Sequence, residues 1–198
     1  MRLFLDIETL PAPESLHDLY LSTLKEAPED DEERKEALSE TSFRAEFGRI
    51  LCIGYQKEPG MKAPDVLTGD EAPMLRKFWE IAKGVTLYVG HNILDFDLPF
   101  LIKRSIINRV RPLEISLARF RRQPVYDTMH EWNLWNERDK PRRDTLAKIL
   151  GLETSKKGID GSKVAEYHAA GRDAEIFAYC KDDVRLVREI HRRMTFEE

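Results

Sequence analysis

The 198 residues, 41% hydrophobic and 34% charged with a formal net charge of −4, are enough for one ordinary domain, residues 1–198, with a sizeable core. No stretch approaches the ~20 apolar residues of a membrane span, and no basic region precedes an apolar core at the N-terminus, so the expectation is a cytoplasmic protein without membrane association. Cys52 and Cys180 have no CxxC or metal spacing and read as reduced thiols.

Residues 2–7 (RLFLDI) read as a strand buried on both faces. Asp6 and Glu8 are two apart, so both carboxylates leave the same face as the strand runs out. Like charges this close are tolerated in water or around a cation, and alone the pair reads equally well as the end of a polar edge strand. The acidic run APEDDEERKEALSE (27–40) reads as a solvated insertion, partly helical at best. Residues 1–40 hold 12 Asp/Glu against 4 Lys/Arg, a local net of −8.

Strand signals recur at 49–56, 64–68 and 85–90, bounded by Gly or Pro, and helical periodicity at 71–84 and 97–109, the latter with Pro99 in its first turn. Asp95 and Asp97 lie at the junction of strand 85–90 and helix 97–109, where Asp97 taken alone reads as a helix cap. The back half reads as helices near 128–136, 144–151, 163–170 and 173–194, with a loop at 158–162. Strands first and helices afterwards, without a repeat or second linker, imply an α/β fold: one mixed central β-sheet flanked by α-helices.

Residues 101–163 hold 15 Lys/Arg against 8 Asp/Glu, a local net of +7, Lys156 and Lys157 included. Arginines here interleave with Phe120, Tyr126, Trp132 and Trp135, a composition suited to gripping a single strand, although Trp132 and Trp135, three apart on a helix, read first as core residues. A basic half facing an acidic cluster suits a polyanion held over metal ions.

In the last helix Tyr179 and Asp183 are four residues apart and share one face. Asp183 falls beside the apolar stripe of Ile176, Cys180, Val184 and Val187, where an unpaired charge is unfavourable. Asp6, Glu8, Asp97 and Asp183, from three separated segments, supply the hard oxygen ligands that two divalent cations roughly 3.5–4 Å apart require.

At these residues the chain resembles the tyrosine branch of the DEDD superfamily of 3′→5′ exonucleases. LFLDIET resembles its first motif through Asp6 and Glu8, HNILDFDLPFL its second through Asn92, Phe96 and Asp97, and YCKDD its third through Tyr179 and Asp183. Within the superfamily it looks most like the proofreading exonuclease domain of family B DNA polymerases and its free-standing relatives, which FGRILCIGY (47–55), DTLAKILGL (144–152) and KKGIDGSKV (156–164) also resemble.

The resemblance implies a ribonuclease-H-like fold and two divalent ions, Mg²⁺ or Mn²⁺. Asp6 would bridge them, Glu8 and Asp183 would complete the tighter site, and Asp97 would hold the second. Tyr179 would orient the attacking water, since a phenol with pKa about 10 is a poor base at neutral pH. Thr9 and Leu10 would meet the terminal nucleotide, and Asn92 and Phe96 would help position the strand. The expected substrate is the 3′ end of single-stranded DNA, released as nucleoside 5′-monophosphates. The 198 residues leave no room for a polymerase domain, so a polymerase or repair partner would act in trans.

A sister branch uses a His-x-x-x-x-Asp third motif, and His168 to Asp173 has that spacing. It straddles a helix break, whereas Tyr179 and Asp183 share one helix, so His168 reads as a helix-end residue and Asp173 as a cap. Two other functions fit the same residues, a 3′→5′ exoribonuclease and a catalytically silent nucleic-acid-binding module. All four acids and the tyrosine being present weighs against silence.

Overall fold

In a computed structural model the described residues are 1–136, 138, 140–154 and 161–197. The expected loop at 158–162 lies outside them up to residue 160, as do Lys156 and Lys157, while Gly161–Lys163 forms a single 3₁₀ turn.

The apolar run at the N-terminus becomes β1 (Arg2–Leu10), the centre of a five-stranded sheet. After β1 come a short α1 (His17–Leu21) and then α2 (Asp31–Glu40), before β2 (Arg49–Glu58) and β3 (Asp65–Thr68) pair antiparallel on one side. α3 (Glu71–Ala82) leads to β4 (Leu87–Gly90), which pairs parallel with β1 on the other side. α4 (Asp97–Ile107) and a long irregular segment lead to β5 (Val125–Asp127), parallel to β4. Then α5 (Thr128–Trp132), α6 (Arg143–Ile149), α7 (Val164–Ala169) and α8 (Asp173–Met194) complete the order, and the strands lie β3-β2-β1-β4-β5.

Alternation along β1 sorts its side chains between two layers. Leu3, Leu5 and Ile7 pack with Leu75, Phe78, Leu98 and Leu101 of α3 and α4, whereas Phe4 packs with Val184 and Val187 of α8. Asp6 and Glu8 have the parity of Phe4, so both acids face α8. Gly54 lies opposite Asp6 in the β1–β2 register, and a Cβ there would come within 2.7 Å of Cys180 Sγ and 2.9 Å of Val184 Cγ2. Its missing side chain lets α8 lie close against β2, which brings Asp183 to the end of β1.

Several sequence expectations need correction. The acidic insertion carries a regular ten-residue helix, because Asp30 accepts from Glu33 N–H at 2.8 Å while Glu33 accepts from Glu29 N–H at 2.8 Å, and Asp31, Glu32 and Glu33 face the positive end of the dipole. It buries no side chain, as a solvated segment should. Helix 128–136 stops at Trp132. Trp132 is 38% exposed and so is not a core residue, whereas Trp135, with φ 63°, lies outside the helix and packs half-buried against the main core. Asp173 is not the cap of the last helix, whose N-cap is Arg172. Its carboxylate instead meets His168 Nδ1 at 2.7 Å. Finally, the three residues of β5 carry too short a pattern to register as a strand.

Candidate active site

β4 pairs with β1 only as far as Phe4, so the backbone of β1 beyond that point is open on the β4 side. Asp97 fills the opening. It is the first residue of α4 rather than its cap, and its Oδ1 accepts from Ile7 N–H at 3.0 Å. The β1–β2 register shifts between Glu8 and Thr9, a bulge directly after the two acids. From the other side α8 contributes Tyr179 and Asp183 from one face, as their spacing requires.

The four acids are 9%, 7%, 4% and 4% exposed at Asp6, Glu8, Asp97 and Asp183, which rules out bulk solvation as their stabiliser. Among them lies one of the fifteen cations of residues 101–163. Arg143, at the start of α6, donates from Nη1 to Asp6 Oδ1 at 2.7 Å, and from Nη2 to Asp183 Oδ2 and, at 3.4 Å, to Tyr179 Oη. Its Nε is buried without a hydrogen-bond partner. The sequence carried a signal for it: Arg143, Leu146, Ala147 and Leu150 follow helical spacing, and Leu146 and Ala147 are buried, so Arg143 heads the inward stripe of α6.

One guanidinium does not balance four carboxylates. Burial pushes Glu8 and Asp97 well above the usual carboxylate range, reinforced in each by the Asp6 charge. Burial also raises Asp6 and lifts Asp183 to about 7, in both cases against the pull of Arg143. Burial opposes charge on Arg143 as well, but Asp6 and Asp183 outweigh it and keep the guanidinium protonated. The Tyr179 phenol is driven upward by burial and by Asp183, so it remains a neutral hydrogen-bonding group.

This donor set fits divalent cations. Oxygens of Asp6 and Glu8 come within 4.8 Å of each other and of Cys180 Sγ. The thiol is committed elsewhere: it points at the Asp6 carbonyl, 3.6 Å away, and contact with Cys52, together with burial, raises its pKa. Both cysteines are free and buried, and the hard carboxylate oxygens are the donors such ions prefer.

The turn that delivers Asp97 is held by a residue that no local sequence pattern marks. Asp127, at the end of β5, is 1% exposed. Its Oδ1 accepts from Asn92 N–H and Met129 N–H, each at 3.0 Å, and from His130 N–H at 3.3 Å, while Oδ2 accepts from Leu94 N–H at 3.0 Å. Asn92 adopts φ 64°, and Asp127 helps hold that conformation. One residue earlier, His91 donates from Nε2 to the Pro141 carbonyl at 3.0 Å and so ties this turn to the segment that brings in Arg143.

Residues expected at the substrate are more scattered. Thr9 Oγ1 donates to the Ser42 carbonyl at 2.8 Å. Leu10 is buried with Cys52, Ile176 and Cys180, and it also lines a cavity of about 370 Å³ with Phe47, Arg49 and Phe177. Phe96 is half-buried, its ring 5.4 Å from Phe100 and 6.3 Å from the exposed Phe43. In the basic half, Arg122 is paired with Glu131 at 2.7 Å, which leaves Arg121 the better reporter of an open basic surface.

A mixed five-stranded sheet with flanking helices, acids at the end of its central strand and further acids on α4 and α8, has the architecture of the ribonuclease-H-like exonucleases. The chain belongs to the family of predicted 3′–5′ exonucleases related to the exonuclease domain of PolB, whose model matches residues 49–187. That range takes in Asp97, Arg143, Tyr179 and Asp183, whereas Asp6 and Glu8 precede it and join the cluster through the position of β1. The family B DNA polymerase from the hyperthermophilic archaeon Pyrobaculum calidifontis matches with a TM-score of 0.67 at 18% identity, over 98% of this chain and 24% of that one. At that identity the likeness is one of fold, and this chain spans about a quarter of the polymerase's length. No curated protein matches the sequence.

Proposed function

We propose that this chain is a metal-dependent 3′→5′ exonuclease that removes nucleoside 5′-monophosphates from the 3′ ends of single-stranded DNA. Asp6, Glu8, Asp97 and Asp183 would hold two divalent ions, Mg²⁺ or Mn²⁺. The observation that carries this reading is the gathering of four buried carboxylates from three elements, two of which, Asp6 and Asp183, share the single guanidinium of Arg143. Such a cluster is costly as structure and useful as a cation site.

When bound, the ions would neutralise charge developing on the phosphate and activate water for attack. The chain's own groups divide the remaining work. Asp97 is fixed to β1 through Ile7 N–H, so its carboxylate is oriented before any ligand arrives. Arg143 compensates Asp6 and Asp183 in the meantime, keeping the site assembled. Tyr179, neutral and beside Asp183, would orient the attacking water by hydrogen bonding rather than take its proton.

A 5′-labelled DNA oligonucleotide and its RNA counterpart, each incubated with Mg²⁺ or Mn²⁺ and with EDTA, test the reading. The expected result is a descending ladder on DNA that EDTA abolishes. A ladder on RNA alone would move the assignment to an exoribonuclease, and no products with either metal would leave a binding module.

A further inference from the structure

Resting on the nuclease reading above, a second feature bears on how the strand reaches the acids. Phe120 is 74% exposed and has φ 63°, an unfavourable backbone region for an aromatic residue. Trp135 shares φ 63°, and the two rings lie 5.0 Å apart at a 38° tilt. Trp135 also meets His130, 5.0 Å away and nearly parallel, at 8°. His130 is buried, and its Nε2 lies 3.0 Å from Asp95 Oδ2. Asp95 belongs to the same turn as Asn92, Phe96 and Asp97. Trp135 therefore links the exposed Phe120 ring, tilted against it, to the buried His130 ring stacked on it, and His130 is bonded to the turn that carries a candidate metal ligand.

Basic residues flank these rings along the chain. Arg119 donates to Asp95 Oδ1, and Lys140 Nζ is 3.4 Å from Asp95 Oδ2. Arg121, Arg138 and Arg142 are exposed on the same stretch of chain, where Glu131 is already taken by Arg122. A large ring held in water in a strained conformation, among cations, suits a ligand that offers a flat apolar face and a string of anions. A single nucleic-acid strand has both, whereas a duplex keeps its base faces covered.

We propose that Phe120 is a stacking platform for a base of the single strand upstream of the 3′ end being cleaved, with Arg121 and Arg138 meeting its phosphates. Trp135 and His130 support the ring from behind. Through Asp95 the platform is fixed relative to Asp97, and this sets the path along which the strand enters.

The test compares (dT)12, long enough to cross the platform, with the dinucleotide pdTdT, confined to the acidic site, in wild type, Phe120→Ala and Phe120→Trp. Phe120→Ala is expected to raise KM for (dT)12 about tenfold more than for pdTdT, within the range of base–aromatic stacking, and Phe120→Trp to restore it. Arg121→Glu should weaken (dT)12 binding and flatten its salt dependence. An equal KM shift on both substrates, or none, in an active enzyme would overturn the platform while leaving the nuclease reading intact. If wild type cleaves neither substrate with Mg²⁺ or Mn²⁺, the nuclease reading fails, and anisotropy of fluorescein-labelled (dT)12 in EDTA then decides the platform. Weaker binding by Phe120→Ala there would support it, and equal binding would overturn it.

Discussion

Arg143 and Asp6, 137 positions apart in the chain, meet through Nη1 and Oδ1 at 2.7 Å at the centre of the acidic cluster. The guanidinium also reaches Asp183, so one side chain links the central strand to the last helix. Removing one partner from such a buried network leaves charge uncompensated. Arg143→Met should cost the metal-free protein about 3–5 kcal/mol at pH 8. The loss should shrink at pH 5.5, where the acids take up protons, and shrink again with Mn²⁺ at pH 8. Thermal unfolding of both proteins under the three conditions measures this, and an unchanged melting temperature at pH 8 would remove Arg143 from its assigned role.

The same imbalance predicts a pH dependence. Asp183, lifted to about 7 mainly by burial, and Glu8 and Asp97, held well above the usual range, keep protons in the folded chain that the unfolded chain releases near pH 4. Stability from these groups is therefore lost as pH rises through their folded values. His91 and His191, lowered to about 4 chiefly by burial, have the opposite slope, but it ends near their ordinary value of 6.5. Above pH 6.5 the acids dominate. The metal-free protein should melt several degrees lower at pH 8 than at pH 6.5, and saturating Mg²⁺ should narrow the gap. A melting temperature that rises over this interval would contradict the assignment.

Tyr179 predicts a rate effect without a titration. Its phenol is pushed upward and stays neutral through the working range. Tyr179→Phe should lower kcat about ten- to a hundredfold while leaving the melting temperature and the shape of the pH–rate profile between 7 and 9.5 as they are in wild type. A limb present in wild type and missing from the variant would show that the phenol ionises after all.

Asp127 tests the support of the catalytic turn. Its side chain accepts from four backbone N–H groups, two of them in the turn that leads to Asp97. Asp127→Ala should cost at least about 2 kcal/mol, through a lost helix cap and unpaired buried donors. It should also speed amide exchange at Asn92 and Leu94 and reduce activity along with it. Stability lost with exchange at those two amides unchanged would place the defect elsewhere.

The sequence exposed these features unevenly, for physical reasons. β1 and α8 were legible because each is long enough to show its own period: Asp6 and Glu8 lie two apart on a strand, and the apolar stripe of α8 runs unbroken from Ile176 to Ile190. β5 was hidden because three residues cannot establish alternation, and Asp127 was hidden with it. α2 is hidden because composition argues for solvated chain, while two caps carry the helix, Asp30 on Glu33 N–H and Glu33 on Glu29 N–H. A charge count merges Arg143 with the other cations of 101–163. The arginine's place on the inward stripe of α6 is a matter of phase, which a charge count ignores. Contacts between distant segments, such as Asp97 with Ile7, leave no local pattern at all.

Asp97→Asn gives the most direct test of whether the acids catalyse. The amide keeps an oxygen to accept Ile7 N–H and nearly the same shape, so what it removes is the charge. The measurement is the initial rate of dTMP release from a 3′-labelled (dT)12 with Mn²⁺, in wild type and in Asp97→Asn. Steady release by wild type and a loss of at least about a hundredfold in the variant, with its fold retained, are expected. Equal rates in the two proteins, or no release by wild type, would contradict a catalytic role for the acids.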